Sequence, residues 1–544
     1  MNLDNFIARD KGTGHVSIYP TYPFFIDIDF DGNYITGWTL SSQSELYSGV
    51  DSTELIYTLN MLIDKFELTT YSDHKQDYVI IYTDNLLKVK SLLPDLYQDF
   101  STYLVAMEYF DIRDYSDFGD KDSMLVWYEQ FVDEKRAYIS PSQAMRKRLL
   151  KAVGDDTTAK DIYPPTIRDY KYEREGIHGG VVYASDSSGR VYKKPMLALD
   201  LTSAYIYGLL IEPHCMSARQ SVPTTDWEYY LSNSNYGSIG TYDIEYSFMF
   251  QYIRCFKDVN GKHLKNGHNK VRMILDNVAL NSFINLPHMV IHNINCLKLT
   301  EFKIDYMPEY YRNFSVKLFI DKQTLDRDTI EYKNHKRYLN SGVYGNLLVD
   351  MFKYMNKEPG ESASDYQRRL DKLYYRKALS PKAKVSTIPL WGVYTLSYTK
   401  KLVYDLATQL VGWRYSDTDS IYCEDTPENR AKIKAFNDAI RAKVKAFCEQ
   451  FDYDYEQLKD LGTFKIEAEI DKFRSFGIKQ YAYETKDGHT VMHFAGCHYD
   501  ETPDNMWSES FKPRSGERVV PYLDDNNVYH EKVFGTNVLS LFVK

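Results

Sequence analysis

No run of apolar residues in this chain reaches the ~18 positions that a membrane-spanning helix needs, so no span is expected. Residues 1–16, MNLDNFIARDKGTGHV, lack the apolar core of a secretory signal, and the expectation is a cytoplasmic protein without a membrane partner. Cysteine is scarce. The six residues, at 215, 255, 296, 423, 448 and 497, show no paired spacing, which argues against a disulfide framework and for reduced thiols. A surplus of positive charge is also missing, since the net charge is −10. Nothing global therefore announces nucleic acid, although phosphate contacts need only a local basic groove. Internal repeats and low-complexity segments are absent. What is present is ample core material, with 43% hydrophobic residues over 544 positions. That length implies about three or four structural units.

The most informative stretch is WRYSDTDSIYCED, from Trp413 to Asp425. Tyr415, Ile421 and Tyr422 favour extended chain, and Ser-Asp-Thr-Asp-Ser is turn material. The reading is a β-hairpin with Asp417 and Asp419 at its tip. Two like charges so close repel unless a cation lies between them, and hard oxygen ligands suit magnesium. An ordinary polar turn is the alternative. A second acid, Asp200, ends the apolar strand Met196 to Leu199. Burying it is costly unless it is paired or metal-bound, while capping the next helix is the alternative. In Glu331 to Leu348, Lys333, Lys336 and Arg337 recur at helical spacing. Such a row is commonly a solvated face, and it also suits gripping a triphosphate. Tyr344-Gly345 then offers a flat ring beside a residue without a side chain, where a base pair can lie.

Elsewhere, Pro23 to Phe30 reads as a strand carrying Asp27 and Asp29, with a return strand at Tyr34 to Leu40, a helix at Thr53 to Phe66 and a strand at Tyr78 to Tyr82. Met124 to Phe131 reads as helix. Residues 141–175 read as a linker stiffened by Pro164-Pro165. Val181 to Tyr183 and Arg190 to Lys194 read as a hairpin. Residues 212–330 read as short strands and loops, and Lys479-Gln480-Tyr481 as part of a strand.

Taken together, these stretches resemble the family B DNA polymerases, and within them the protein-primed enzymes of small bacteriophages. The pattern D-x-x-S-L-Y-P is similar to DLTSAYI from Asp200, with Ser203 and Tyr205 matching; Y-x-D-T-D-S matches fully from Tyr415 to Ser420. The later K-x-Y resembles Lys479-Gln480-Tyr481. The middle pattern, K-x-x-x-N-S-x-Y-G, departs. Lys336 and Asn340-Ser341 fit from the left and Tyr344-Gly345 from the right, with one residue too many. Either Gly342 is a bulge or Arg337 takes the lysine's place. Y-x-G-G resembles Ile177-His178-Gly179-Gly180, with the aromatic lost.

The resemblance covers roughly 170–500. It implies an α+β, right-hand polymerase of palm, fingers and thumb, preceded by a ribonuclease-H-like exonuclease-type domain. The expected divisions are 1–150 for a degenerate exonuclease-like domain, 151–211 and 389–495 for the palm, and 311–346 for the fingers. Residues 212–310 correspond to the terminal-protein insertion, 347–388 to the strand-displacement insertion and 496–544 to the thumb. It further implies two Mg2+ ions, with Mn2+ as a substitute, held by Asp200, Asp419 and the Leu201 carbonyl, with Asp417 nearby. Tyr205, Lys333, Lys336, Arg337 and Tyr344 would take the nucleotide. Gly179, Gly180, Ser203, Asn340, Lys479 and Tyr481 would take DNA. The expected partners are template, primer, dNTPs and a terminal protein, around a monomer. The exonuclease remnant would be Asp27, Asp29, Asn85 and Asp122. After Asn85-Leu86 the expected acid is replaced by Val89, so proofreading is expected to be weak or absent. The rival readings are a catalytically impaired nucleic-acid-binding descendant and a primer-independent primase-polymerase.

Overall fold

The computed structural model describes residues 6–7, 17–20, 24–31, 34–41, 46–50, 52–65, 70–71, 75–76, 78–83, 110–114, 141–327, 329–350, 352, 357, 360–494, 502–503, 505–509, 511, 517–523 and 529–535. The chain divides into two compact units. One comprises Met1–Ala144, Leu325–Tyr338 and Glu517–Thr536; the other comprises Met145–Thr324, Leu339–Gly516 and Asn537–Lys544. Among the described residues no helix is long and apolar enough to cross a membrane.

The first unit is built on a seven-stranded mixed sheet. Its strand Phe24–Asp31 lies between Tyr78–Thr83, which runs parallel to it, and Tyr34–Ser41, which runs antiparallel. Period-two alternation sends Ile26 inward, 2% exposed, and leaves Asp27 and Asp29 in solvent. The helix Ser52–Lys65 covers the sheet with Leu55, Leu59 and Leu62, one face at helical spacing. Asn85, Asp122 and the helix expected at 124–131 lie outside the described residues.

The second unit carries a seven-stranded antiparallel sheet. Its strand order is Val181–Ala184, Tyr415–Thr418, Ser420–Glu424, Met196–Leu201, Phe464–Gly477, Gln480–Thr485 and Thr490–Phe494. Behind it runs the helix Pro389–Ala407, with proline at its first turn and apolar side chains all round. Trp391, Val393, Tyr394 and Val403 are fully buried there, and Trp391 donates its indole N–H to the Cys215 carbonyl at 2.8 Å. A further antiparallel sheet holds Tyr236–Phe248, Gly267–Asp276 and Val290–Asp305. The five described cysteines are all buried and none forms a disulfide.

Four local expectations change. Residues 141–175 are mostly helical, as Pro141–Ala152, Thr158–Asp161 and Ile167–Glu175; Pro164-Pro165 occupies only the junction between the last two. Val181–Ala184 pairs with Tyr415–Thr418 instead of closing a hairpin on 190–194, and Tyr192 bridges to Phe473. In the region read as short strands and loops, Tyr236–Phe248 runs for 13 residues and Val290–Asp305 for 16, and Glu309–Gln323 is a helix. Lys479 sits in a turn with φ +59, just before the strand Gln480–Thr485.

Candidate active site

The acidic hairpin forms where it was expected, from Tyr415–Thr418 and Ser420–Glu424. Its flanking aromatics explain why. Tyr415 and Tyr422 are buried with Met196, Ile470, Phe473 and Tyr481 in one cluster beneath the sheet. The rings of Tyr415 and Tyr481 lie 4.6 Å apart, and the Tyr422 and Tyr481 hydroxyls are 3.1 Å apart. Tyr415 accepts a hydrogen bond from the Lys479 backbone N–H at 2.7 Å, which ties the neighbouring turn to the hairpin. A tip fixed on an aromatic platform cannot drift with solvent motion as a free loop does.

The tip itself is strained. Asp419 N–H donates to the Asp417 carbonyl at 2.8 Å across Thr418, whose φ is +66. An i to i+2 bond across a positive φ is the rare, strained form of γ-turn, and a β-branched residue there is an outlier. Three side chains hold it. The Ser420 hydroxyl accepts from Asp417 N–H at 3.2 Å, Thr418 donates to Asp417 Oδ1 at 3.2 Å, and Lys479 Nζ lies 3.2 Å from the same oxygen.

Asp200 reaches this tip through the sheet. It lies in the strand Met196–Leu201, opposite Ser420 in register, and Leu201 N–H donates to the Asp419 carbonyl at 2.9 Å. The cap position of the following helix falls to Ser203. Ser203 stands at that helix start, with φ +50, and its hydroxyl accepts from Lys322 Nζ at 2.9 Å. Lys322, on the helix Glu309–Gln323, was not singled out in the sequence; a lone lysine in the last turn of a helix carries no motif.

Tyr205 and Tyr344 stack face to face, with centroids 3.8 Å apart and planes 4° from parallel. Burial, and then the Asp419 carboxylate, push the Tyr205 hydroxyl up to about 12. Burial, followed by Tyr205, raises Tyr344 as well.

The middle motif resolves into three helical segments: α over Ile330–Arg337, π over Tyr338–Tyr344 and α again over Gly345–Leu348. A π turn holds one residue more than an α turn, so it absorbs a single added residue. Gly342 lies inside that segment, where a Cβ would meet Met145 side-chain atoms at 2.3 Å. The Asn346 amide donates to its carbonyl, and Tyr311 donates to the Val343 carbonyl at 3.0 Å. Lys333 and Lys336 are exposed on the Ile330–Arg337 helix, which the first unit contains together with Arg337. Asn340 is exposed in the π segment. Asp200, Leu201, Ser203, Tyr205, Tyr344, Asp417, Asp419, Lys479 and Tyr481 all belong to the second unit, as do Gly179 and Gly180.

For a hard divalent cation, the donors at hand are the carboxylates of Asp200 and Asp419 and nearby backbone carbonyls. No group of three or more His, Cys, Asp or Glu side chains is arranged as a metal cage among the described residues. Two carboxylates completed by carbonyl, water and phosphate oxygens is the set that magnesium favours over an all-protein cage, so the residues present fit it.

No protein-family model and no curated protein matches the sequence. Solved structures do match. The chain is similar to Phi29 DNA polymerase complexed with primer-template DNA, with a TM-score of 0.62 and 14% identity, covering 92% of this chain and 97% of that one. It is similar to the same enzyme with primer-template DNA and incoming nucleotide substrates, with a TM-score of 0.58 and 12% identity, covering 94% and 99%. A complex of that enzyme with single-stranded DNA gives a TM-score of 0.58 at 13% identity, covering 92% and 97%. The α+β polymerase fold expected from the motifs is thus the fold observed.

Proposed function

We propose that the protein is a template-directed DNA polymerase that adds dNTPs to a 3′-hydroxyl by two-metal phosphoryl transfer. One observation carries this reading: the backbone bond from Leu201 to Asp419, which joins the strand of Asp200 to the acidic hairpin. It occurs in a chain with the fold of a polymerase whose structures hold primer-template DNA and nucleotide.

Asp200, Asp419 and the Leu201 carbonyl would hold two Mg2+ ions, with Mn2+ as a substitute. When bound, such ions neutralise charge on the attacking and departing oxygens of an in-line displacement. Asp417 is engaged by Lys479, so it orients the tip instead of ligating. Lys333, Lys336 and Arg337 are the residues to which the resemblance gives the triphosphate. Tyr344 packs on the nascent pair and Tyr205 lies under its sugar. The two rings rest against one another, so an incoming nucleotide must part them. Gly179, Ser203, Asn340, Lys479 and Tyr481 line the path of DNA. Primer extension with Mg2+ tests the reading. Duplex binding without extension would instead indicate a catalytically impaired descendant, and synthesis from template and dNTPs alone a primer-independent enzyme. A terminal protein as primer, acting on a monomeric polymerase, is the companion proposal; its test is formation of a protein–dNMP adduct.

Tyr205→Val should open the sugar site. The ratio of kcat/KM for dNTP over rNTP is expected to fall by roughly 10- to 100-fold, the range for a pocket that rejects one added hydroxyl. An unchanged ratio removes Tyr205 from that role. In the first unit, Val89 stands where the proofreading pattern needs an acid, and a two-metal site lacking one ligand is crippled. Asp29→Ala is therefore expected to leave degradation of single-stranded DNA at the wild-type level; a clear drop would show a working exonuclease.

A further inference from the structure

We infer that Gly180 is a positioning residue for the acidic tip: its missing side chain is the space in which the strained turn at Thr418 is held. The inference rests on the polymerase reading above for its effect on rate, and on packing alone for its effect on stability. Gly180 immediately precedes the strand Val181–Ala184, whose register places Val181 opposite Thr418 and Val182 opposite Asp417. A Cβ at 180 would lie 2.7 Å from Thr418 Cγ2 and 3.1 Å from both Thr418 Cβ and Cα. Rotating the threonine moves the methyl away but not the Cα, so the turn itself would have to shift. Neighbouring Gly179 differs: a Cβ there meets only the Cys255 carbonyl, at 3.9 Å. Neither glycine has a positive φ, so space and not backbone freedom decides at 180.

A strained residue persists only where its surroundings over-determine it. Around Thr418 these are the bonds of Asp417 to Ser420, Thr418 and Lys479 on one side and the Gly180 backbone on the other. The resemblance gives this glycine pair to the template strand, whose close approach also favours glycine. The two roles separate cleanly. A DNA contact acts on duplex affinity, and no change at Thr418 can repair it. A packing contact acts on the placement of Asp419, and a smaller residue at 418 relieves it.

The experiment compares wild type, Gly180→Ala, Thr418→Gly, the double variant of these two, and Gly179→Ala. It reads kcat and KM for dNTP incorporation with Mg2+, primer-template affinity by fluorescence anisotropy, and Tm. Gly180→Ala should lower kcat by roughly 10- to 100-fold, the cost of sub-ångström to ångström misplacement, with duplex affinity within about twofold. Its Tm should fall, while that of Gly179→Ala should not. Adding Thr418→Gly should recover roughly tenfold of the rate and part of the Tm, a coupling expected only of residues in contact. Independent effects at 180 and 418, or weakened duplex binding at unchanged kcat, would overturn the inference. If wild type does not extend primers, the polymerase reading fails by itself, and the Tm coupling alone decides the packing role. If Gly180→Ala does not fold, a folded double variant supports the role and an unfolded one overturns it.

Discussion

Replacing Asp419 by asparagine is expected to abolish dNTP incorporation, with a loss of at least roughly 1,000-fold, or on the order of 4 kcal/mol of transition-state stabilisation. Asparagine matches the shape of aspartate and lacks only the charge that a divalent ion needs. The main chain at 419 is held by its own two bonds, N–H to the Asp417 carbonyl and C=O from Leu201 N–H. Neither depends on the carboxylate, so the tip keeps its place. Primer-template affinity and Tm are therefore expected to stay near wild type while kcat collapses. Asp200→Asn should behave alike, because the strand holds its backbone in register with Ser420. Chelating the divalent ion should silence wild type, and Mg2+ or Mn2+ should restore it. Incorporation that survives in Asp419→Asn would remove this carboxylate from the chemistry.

Acid should unfold the second unit through two histidines buried without charge. His178 is 2% exposed and His214 is fully buried. Burial, and then the Lys400 ammonium, hold His178 down to about 3, and burial holds His214 at about 4. Hydrogen bonding agrees. His178 donates from Nε2 to the Ile274 carbonyl at 2.8 Å, and its Nδ1 accepts from Lys257 N–H at 3.1 Å, so a proton on Nδ1 would face a donor. His214 Nδ1 donates to the Glu212 carbonyl at 2.8 Å. Above the unfolded value of about 6.5 both states are neutral and the pair contributes no pH slope. As pH falls below it, the unfolded chain takes protons that the folded one refuses, and stability drops by about 1.4 kcal/mol per pH unit for each ring. By pH 5 the two together should remove about 4 kcal/mol. Unfolding free energy from denaturant titration between pH 7 and 4.5 measures this. His178→Gln with His214→Asn should flatten the curve; a wild-type curve already flat would contradict the burial argument.

The short-range signals in the sequence were sound because they depend on neighbours. Tyr415, Ile421 and Tyr422 around Ser-Asp-Thr-Asp-Ser specify a hairpin with acids at its tip, and an apolar run ending in Asp200 specifies its companion strand. What stayed hidden depends on residues far apart. Val181–Ala184 chooses a partner more than 200 positions away, so the nearer stretch at 190–194 looked like the natural one. The alternation of Tyr242, Ile244, Tyr246 and Phe248 with Asp243, Glu245 and Ser247 is a period-two pattern that foretells the long strand Tyr236–Phe248, and the acidic residues within it masked it as loop. Pro164-Pro165 suggested stiff extended chain, yet two prolines fill only the corner between helices. One residue too many in the middle motif was countable, but a bulge, a loop and a π turn can each absorb it, and the choice among them is not written in the local pattern. The strain at Thr418 and the lysine on Ser203 leave no trace in one-dimensional pattern.

The unbridged, buried cysteines give the protein a built-in clock for breathing motions. Burial raises the thiols of all five described cysteines, Cys423 to about 12, so each is protonated and shielded while the fold is closed. Alkylating reagents consume thiolates at exposed sulfur. The modification rate at each cysteine therefore reports how often its own neighbourhood opens. Cys423 watches the acidic hairpin from within its second strand, Cys255 the surroundings of His178, and Cys296 the long strand Val290–Asp305. Mass spectrometry of partly labelled chains would rank these openings without any introduced probe.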